Sequence, residues 1–346
     1  MGVKRNLDSA GMSAQTDTIS EDEAALYDRQ IRLWGLECQK RIRDGKILVL
    51  GLNGLGAEVV KNLTLSGVKR IVIMDNEPVK PSDATAQFFA AGSEVGINRA
   101  EASKAAIQEL NPNVEVIIDK EEFDSKSESF IKSFNVVCAC DCTPDVIFKV
   151  NRKCRELNVT FFSGSTFGLH GYCFVDTETI TYTRNIEVRP AADHPDNVHF
   201  KPVREIEEVN EYCLLESAFS LKVNAGLKKK VNPVFLLLQI LFRYQQLHKR
   251  NPSPQSREAD ILELQKLRAE VTQAVGCDEG RVGDDMLCSS FGELSPVCAI
   301  VGGVYANEII KSLSNHVNLM YNFFLFNGED CNGVVEAFIP PDEHKK

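Results

Sequence analysis

A buried-strand pattern that runs directly into a glycine turn constrains the fold of this chain more than any other feature. Residues 47–56 read ILVLGLNGLG, and an amphipathic helix pattern follows them. A strand that turns on glycines into a helix presents the free N–H groups of the helix terminus, a common site for phosphate. Gly51, Gly54 and Gly56 suit this turn, but Asn53 stands where the backbone of a dinucleotide loop approaches the pyrophosphate. From the turn alone, NAD-type binding, ATP-type binding and a purely structural role all remain open.

Strand and helix patterns alternate beyond the turn. The strands read KRIVIMD, VEVIID, FNVVCACD and VTFFSGS, and the segments RAEASKAAIQELNP and DVIFKVNRKCRELN have helical periodicity. This alternation predicts an α/β fold with a doubly wound, mostly parallel, Rossmann-like sheet. GYCFVDT and ITYT are interpreted as further strands, and NFFLFNGEDCNGVVEAFIP as a closing hairpin.

The domain organisation follows from where this pattern weakens. A capping box of Ser20 and Glu23 predicts the start of a helical arm, which Gly35 interrupts. We divide the chain into a disordered N-terminus (1–19), a first part of the α/β domain (20–175), a small insert (176–232), a second part of the domain (233–340) and a tail (341–346).

Composition argues against several classes of function. The net charge of −10 disfavours a protein that binds a nucleic-acid backbone. The 11 cysteines include no C-x-x-C pair, which favours free thiols in a reducing compartment. The first residues do not read as a secretory signal, and the longest apolar run, at 234–242, is about half a membrane span. We therefore expect a soluble intracellular protein without a membrane partner.

Two acidic residues stand at the ends of predicted strands. Asp75 lies 24 residues beyond Gly51, where an acid in such a fold can hold a ribose hydroxyl. Asp141 follows the apolar strand VVCAC and could hold Mg²⁺, although a lone Asp at this place is more often a strand-end or helix-cap residue.

The cysteines are predicted to be structural. Cys138, Cys140 and Cys142 alternate along one strand without the C-x₂₋₄-C spacing of a zinc site, so we interpret them as small buried hydrophobic residues. A catalytic cysteine needs an exposed thiol whose pKa is lowered. Cys173 falls within a strand pattern and Cys213 has no basic neighbour in sequence, so neither is predicted to be a nucleophile.

Two further features have alternative interpretations. Arg29 and Arg32 lie on the arm ahead of the sheet, from which a guanidinium could stabilise a transferring phosphoryl group on a neighbouring subunit, or could simply face solvent. The helix pattern at 296–312 contains Gly302 and Gly303, each of which costs about 1 kcal/mol relative to alanine. Close packing would offset that cost, either in the core or against a second subunit.

Together these motifs resemble the ubiquitin-like-protein activating enzymes, which are related to the bacterial MoeB and ThiF adenylyltransferases. The stretch YDRQIRLWG ahead of GLNGLG is the most specific element of the resemblance. The matching segments follow the family's order over nearly the whole chain: YDRQIRLWG (27–35), ILVLGLNGLGAEVVKNLTLSGV (47–68), IVIMD (71–75), AQFF (86–89), VGINRAEAS (95–103), LNPNV (110–114), PVCAIVGGVYANEIIK (296–311) and NFFLFNG (322–328).

The resemblance implies two homologous adenylation-type domains that pair. One domain, on a catalytic partner chain, binds ATP and Mg²⁺ and adenylates the C-terminal glycine of a modifier, and the partner's cysteine then takes the modifier as a thioester. The present chain resembles the other half, a pseudo-adenylation domain that binds no cofactor firmly, holds no metal and is not catalytic alone. Within the family, the chain length and the short insert favour SUMO as the modifier. The resemblance also implies the nucleus, with the cytoplasm in addition, as the location.

The family's ATP site can be matched residue by residue. Asp75 keeps the ribose acid and Asp141 keeps the Mg²⁺ acid, which leaves weak binding open. Asp83 and Ala86 stand where an asparagine and an arginine contact ATP, and Arg99 stands where a lysine meets the phosphates. We therefore expect ATP to bind poorly to a vestigial site formed by Gly51, Gly54, Gly56, Asp75 and Asp141.

One functional element does carry over. In this family the arginine of the R-Q-I/L stretch reaches across the dimer to the ATP bound by the partner, and Arg29 matches it. The alternatives are a self-sufficient MoeB-type adenylyltransferase, a subunit for another ubiquitin-like modifier, an NAD-dependent oxidoreductase, and a scaffold in which Arg29 has no role. Asn53, Asp83 and Ala86 argue against the first of these.

Overall fold

The described part of the chain contains ten strands. The computed structural model describes residues 19–187, 203–222, 231–314 and 318–340. The strands are β1 (Lys46–Leu50), β2 (Arg70–Met74), β3 (Glu115–Asp119), β4 (Val136–Cys140), β5 (Thr160–Phe167), β6 (His170–Asp176), β7 (Thr179–Glu187), β8 (Val203–Glu211), β9 (Phe323–Asn327) and β10 (Asn332–Glu336).

Eight of these strands form one sheet in the order β10-β9-β6-β5-β4-β1-β2-β3, and β7 pairs with β8 in a separate antiparallel ribbon. β3, β2, β1, β4 and β5 are parallel, whereas β6, β9 and β10 extend the sheet in antiparallel fashion. The strand order reverses between β1 and β4, which is where open α/β sheets bind ligands at the carboxyl ends of their strands. The predicted doubly wound, mostly parallel sheet and the closing hairpin β9–β10 are confirmed.

Helices cover both faces of the sheet. Alternation along β1 separates the two layers, because Ile47 and Val49 share a core with α4 and α12, whereas Leu48 and Leu50 share one with α7 and α9. The helices are α1 (Glu21–Leu26), α2 (Asp28–Trp34), α3 (Leu36–Asp44), α4 (Gly54–Ser66), α5 (Arg99–Leu110), α6 (Glu128–Lys132), α7 (Pro144–Glu156), α8 (Leu215–Phe219), α9 (Pro233–His248), α10 (Arg257–Val275), α11 (Asp284–Cys288) and α12 (Ser295–Ser314).

The two glycines of α12 have different surroundings. A Cβ on Gly302 would lie 2.6 Å from Cβ of Glu58, so this glycine lets α12 pack closely on α4. A Cβ on Gly303 would meet no atom within 4 Å. The sequence left open whether these glycines allow close packing in the core or against a second subunit. At Gly302 the close packing takes place within the chain.

The N-terminal helices form an arm that packs against the α4 side of the sheet. Ser20 and Glu23 form the predicted capping box, and Gly35, with a φ of 88°, separates α2 from α3 as predicted. The structure adds a second break at Tyr27, between α1 and α2. That break has a tertiary cause, because the Tyr27 side chain is only 3% exposed and packs against the end of α4.

Parts of the predicted termini and insert lie outside the described residues, namely 1–18, 188–202, 223–230 and 341–346. Within the described part, the insert contributes the ribbon β7–β8 and the short helix α8, whose Leu215 and Ala218 are buried in the core beneath α9. Among the described helices, none is both long and apolar enough to cross a membrane.

Candidate functional site

The glycine turn joins β1 to α4 at the point where the strand order reverses. Gly51 has a φ of +85°, and a Cβ there would lie 2.3 Å from the carbonyl oxygen of Cys140, so this position needs glycine. Asn53 caps α4, because its Oδ1 accepts a hydrogen bond from the Gly56 N–H at 3.0 Å. Asn53 thus replaces the glycine of a phosphate loop with a good helix cap, and the strand–turn–helix connection is preserved.

A carboxylate from a distant part of the chain occupies the N-terminus of α4. Asn53 Nδ2 donates to Glu293 Oε1 at 2.5 Å, and the Gly54 N–H donates to Glu293 Oε2 at 3.1 Å. The Leu55 N–H makes a longer contact with Glu293 Oε1 at 3.4 Å. Free N–H groups and the helix dipole are what a bound phosphate would use at this place. Glu293 therefore places a carboxyl group of the chain itself where a phosphate would bind.

Glu293 could not be found from the sequence. It is separated from Asn53 by 240 positions and stands in the loop just before α12, outside any of the motifs that resemble the family. Its role follows only from the close packing of α12 on α4, which brings the start of one helix to the start of the other.

Asp75, the acid expected to hold a ribose, is hydrogen-bonded by other groups of the same chain. Asp75 is 4% exposed, and its Oδ2 accepts from the Leu52 N–H at 2.7 Å. The same oxygen accepts from Arg99 Nε at 3.0 Å and Arg99 Nη2 at 2.8 Å. Asp75 Oδ1 accepts from the Glu77 N–H at 2.9 Å. Both oxygens of the carboxylate are thus bonded, and a ribose hydroxyl would have to displace one of these donors.

The matched position of Arg99 implied that it would meet phosphates, but its guanidinium is bound within the chain. Its Nη1 contacts Asp83 Oδ1 at 3.1 Å while the rest of the guanidinium binds Asp75. Burial lowers the pKa of Arg99, but the charges of Asp75 and Asp83 outweigh burial and raise that pKa above its ordinary value. The arginine is therefore a permanent cation that neutralises two buried acids.

The remaining ATP-contacting positions are also filled from within. Asp83 is 5% exposed, and its Oδ2 accepts from the Lys80 N–H at 2.8 Å. Ala86 is equally buried, and a Cβ on Gly54 would lie 2.5 Å from the Ala86 Cβ. The small side chain at position 86 therefore packs against the start of α4, where the family's arginine would reach a nucleotide.

Asp141 lies at the carboxyl end of β4 with a φ of 52°. Its Oδ1 accepts a hydrogen bond from the Ser165 hydroxyl, and its Oδ2 is 3.4 Å from Asn251 Nδ2. Burial raises the pKa of Asp141 to about 6. Burial and then the charge of Asp141 raise the pKa of Glu293 to about 7. Neither acid forms an ion pair with any residue of the described ranges, and both line a cavity of about 80 Å³.

The described cysteines offer no activated thiol near this site. Cys138, Cys140 and Cys173 are at most 1% exposed, and burial raises the pKa of each thiol. Cys213 is also buried, and Cys142, just past the end of β4, is partly buried. Cys138 and Cys140 are the small buried hydrophobic residues that the alternation predicted.

Arg29 lies on α2, in the N-terminal arm. Its side chain is exposed, and it makes no hydrogen bond or ion pair with any residue that the structure describes. Arg32, one turn away, instead binds Asp28 Oδ1 through Nε at 3.0 Å. Two apolar neighbours of Arg29 are also exposed, Leu33 at 76% and Leu26 at 59%.

The chain can be compared as a whole with known proteins. The model of the ThiF family matches residues 27–345. SUMO-activating enzyme subunit 1 of Homo sapiens is 40% identical over 341 residues, which cover 93% of this chain and 97% of that protein. The protein of the same name from Rattus norvegicus is 39% identical over 344 residues, covering 95% and 98%. The one from Danio rerio is 36% identical over 336 residues, covering 92% and 96%. The chain therefore belongs to the ThiF family.

Proposed function

We propose that this chain is the non-catalytic subunit of a heterodimeric SUMO-activating enzyme, and that it supplies Arg29 to the ATP site of its catalytic partner. One contrast carries the proposal. Internal side chains occupy the chain's own nucleotide site, whereas Arg29 is exposed and unpaired within the described residues. The shared name of the relatives, SUMO-activating enzyme subunit 1, supports SUMO as the modifier.

In the proposed reaction the partner chain performs the chemistry. A carboxylate oxygen of the modifier's C-terminal glycine attacks the α-phosphorus of ATP, and the bond to the β-phosphate oxygen breaks. The products are the modifier adenylate and pyrophosphate. The partner's cysteine then attacks the adenylate carbonyl, which gives a thioester and AMP. The present chain takes part in the first of these two steps.

The role of Arg29 is electrostatic. Negative charge builds on the leaving pyrophosphate as the bond to the α-phosphorus breaks, and a guanidinium beside it lowers the barrier. A guanidinium suits this role because it stays protonated and presents several N–H donors to phosphate oxygens.

The surface around Arg29 supports a partner at this place. Leu33 lies one helical turn beyond Arg29 and Leu26 ends the preceding helix, and both side chains are more than half exposed. These exposed leucines, close to Arg29 in sequence, offer apolar area that a partner chain would cover. A partner chain that covers these leucines would also receive Arg29.

The chain's own residues do not fit a bound triphosphate with its Mg²⁺. Glu293 places a carboxylate where phosphates would lie, and Asp83 adds a second acid at the position of an ATP-contacting asparagine. We therefore place ATP and Mg²⁺ on the partner chain. The same occupancy argues against a self-sufficient adenylyltransferase. It also argues against an NAD-dependent oxidoreductase, whose ribose would need the carboxylate that Arg99 holds.

We further propose the nucleus as the location.

The test is co-expression with candidate catalytic subunits, followed by a thioester assay with SUMO and with its relatives. The expected result is a thioester on the partner chain with SUMO, formed only when both chains and ATP are present. The isolated chain should catalyse no exchange between ATP and pyrophosphate with any modifier. Robust exchange by the chain alone would show that it is a complete adenylyltransferase.

A further inference from the structure

The C-terminal end of α4 is capped by side chains from outside the helix. The last carbonyls of a helix have no partner within it. Here the Leu65 carbonyl accepts from Gln30 Nε2 at 3.3 Å, and the Ser66 carbonyl accepts from Gln39 Nε2 at 3.1 Å. Both glutamines belong to the N-terminal arm, one to α2 and the other to α3. Two orphan carbonyls of α4 thus bind the arm that carries Arg29.

A third carbonyl joins the same network. Asn111 Nδ2 donates to the Thr64 carbonyl at 2.9 Å and to the Tyr27 hydroxyl at 2.8 Å, which uses both of its hydrogens. Tyr27 also fits against Gly67, where a Cβ would lie 2.3 Å from the tyrosine hydroxyl oxygen. Gly67 is therefore needed both for its φ of +79° at the end of α4 and for the space that Tyr27 fills.

These contacts flank Arg29 closely. Tyr27 precedes it by two residues, and Gln30 follows it directly. With seven residues, α2 is too short to hold a helix by itself, so its conformation and place depend on tertiary contacts. Gln39 links the far end of α2 to α4, since its Oε1 accepts from Trp34 Nε1 at 3.2 Å.

We infer that Tyr27, Gln30 and Gln39 are positioning residues, which fix the backbone of Arg29 against the end of α4 so that its guanidinium reaches the reacting phosphates in one place. The inference rests on the proposed role of Arg29 in trans. The closed nucleotide site lies at the N-terminal end of α4, and the arm that carries Arg29 binds its C-terminal end.

The test uses the assembled heterodimer and measures kcat and KM for exchange between ATP and pyrophosphate. Tyr27→Phe removes one hydroxyl and keeps the ring, and Gln30→Ala removes one amide at a half-buried site. We expect each to lower kcat several-fold while KM for ATP and for the modifier changes less than twofold. Gln273→Ala, an exposed glutamine on α10, should leave both parameters unchanged.

A double-mutant cycle separates positioning from general structural damage. If Gln30 acts through Arg29, Gln30→Ala will cause no further loss in an Arg29→Ala background. Equal losses in both backgrounds, or a failure of Gln30→Ala to assemble, would overturn the inference. An effect of Arg29→Ala without any effect of Tyr27→Phe or Gln30→Ala would overturn the inference and leave the proposed function standing. An unchanged rate in Arg29→Ala would overturn both.

Discussion

Replacing Glu293 with alanine should open an anion site that the wild-type chain keeps closed. In the structure the Glu293 carboxylate accepts from Asn53 Nδ2 at 2.5 Å and from the Gly54 N–H at 3.1 Å. An incoming phosphate would have to displace both hydrogen bonds, at about 1 kcal/mol each. Glu293 therefore weakens the binding free energy of the anion by about 2 kcal/mol, which corresponds to a roughly thirtyfold lower affinity. Glu293→Ala removes the competitor and leaves the donors of the α4 terminus in place.

Thermal unfolding of the full chain, titrated with pyrophosphate at constant ionic strength, measures this change. An anion present at ten times its Kd stabilises the folded chain by about 1.4 kcal/mol. That free energy raises Tm by about 2 °C in a chain of 346 residues. We expect the rise in Glu293→Ala at pyrophosphate concentrations that leave the wild-type Tm unchanged.

Glu270→Ala provides the control for the loss of an acidic side chain, because Glu270 is exposed on α10. It should respond to pyrophosphate as the wild type does. Equal shifts in the wild type and in Glu293→Ala, or no shift in Glu293→Ala, would refute the idea that this carboxylate closes a phosphate site.

Two further outcomes follow from the buried charges. Arg99→Ala leaves Asp75 and Asp83 buried without a cation and should lower the free energy of unfolding, measured in urea, by about 3–5 kcal/mol. A loss below about 1 kcal/mol would show that these ion pairs contribute little to stability. Because burial raises the pKa of Asp141 to about 6 and of Glu293 to about 7, both protons bind more tightly in the folded chain than in the unfolded one. The stability contributed by these groups is therefore complete below about pH 4 and falls as pH rises through 6 and 7. Urea unfolding at pH 5 and pH 8 should show this fall, and Glu293→Gln should make it smaller.

The sheet and its helices were predictable because their signals are local. Alternating apolar residues and helical periodicity repeat within each segment, and the glycine turn fixes where a strand passes into a helix. The arm was predicted less completely. Its break at Gly35 has a local cause, whereas the break at Tyr27 depends on the packing of that side chain against Gly67, which no local pattern reveals.

The candidate site, too, was predictable from the sequence only where its signals are local. The substitutions at Asn53, Asp83 and Ala86 were visible in the sequence and indicated a weakened nucleotide site. What fills that site was not visible, because Glu293 reaches it only through the packing of two helices distant in sequence. Arg99 was assigned to phosphates from its matched position, although the acid at position 83 offered a charge-complementary partner. Two buried acids without a nucleotide require a cation, and Arg99 is that cation.

The rate of adenylate formation by the assembled heterodimer with Arg29→Ala tests the central proposal most directly. It should be measured in a single turnover, so that product release does not hide the step. Loss of one charge-stabilising donor from a reacting centre typically slows the chemical step by about a hundredfold, and we expect a loss of that order with assembly intact. Arg32→Ala, which removes a neighbouring arginine already paired with Asp28, should be close to the wild type. A rate in Arg29→Ala equal to that of the wild type would contradict the proposal that this chain completes its partner's ATP site.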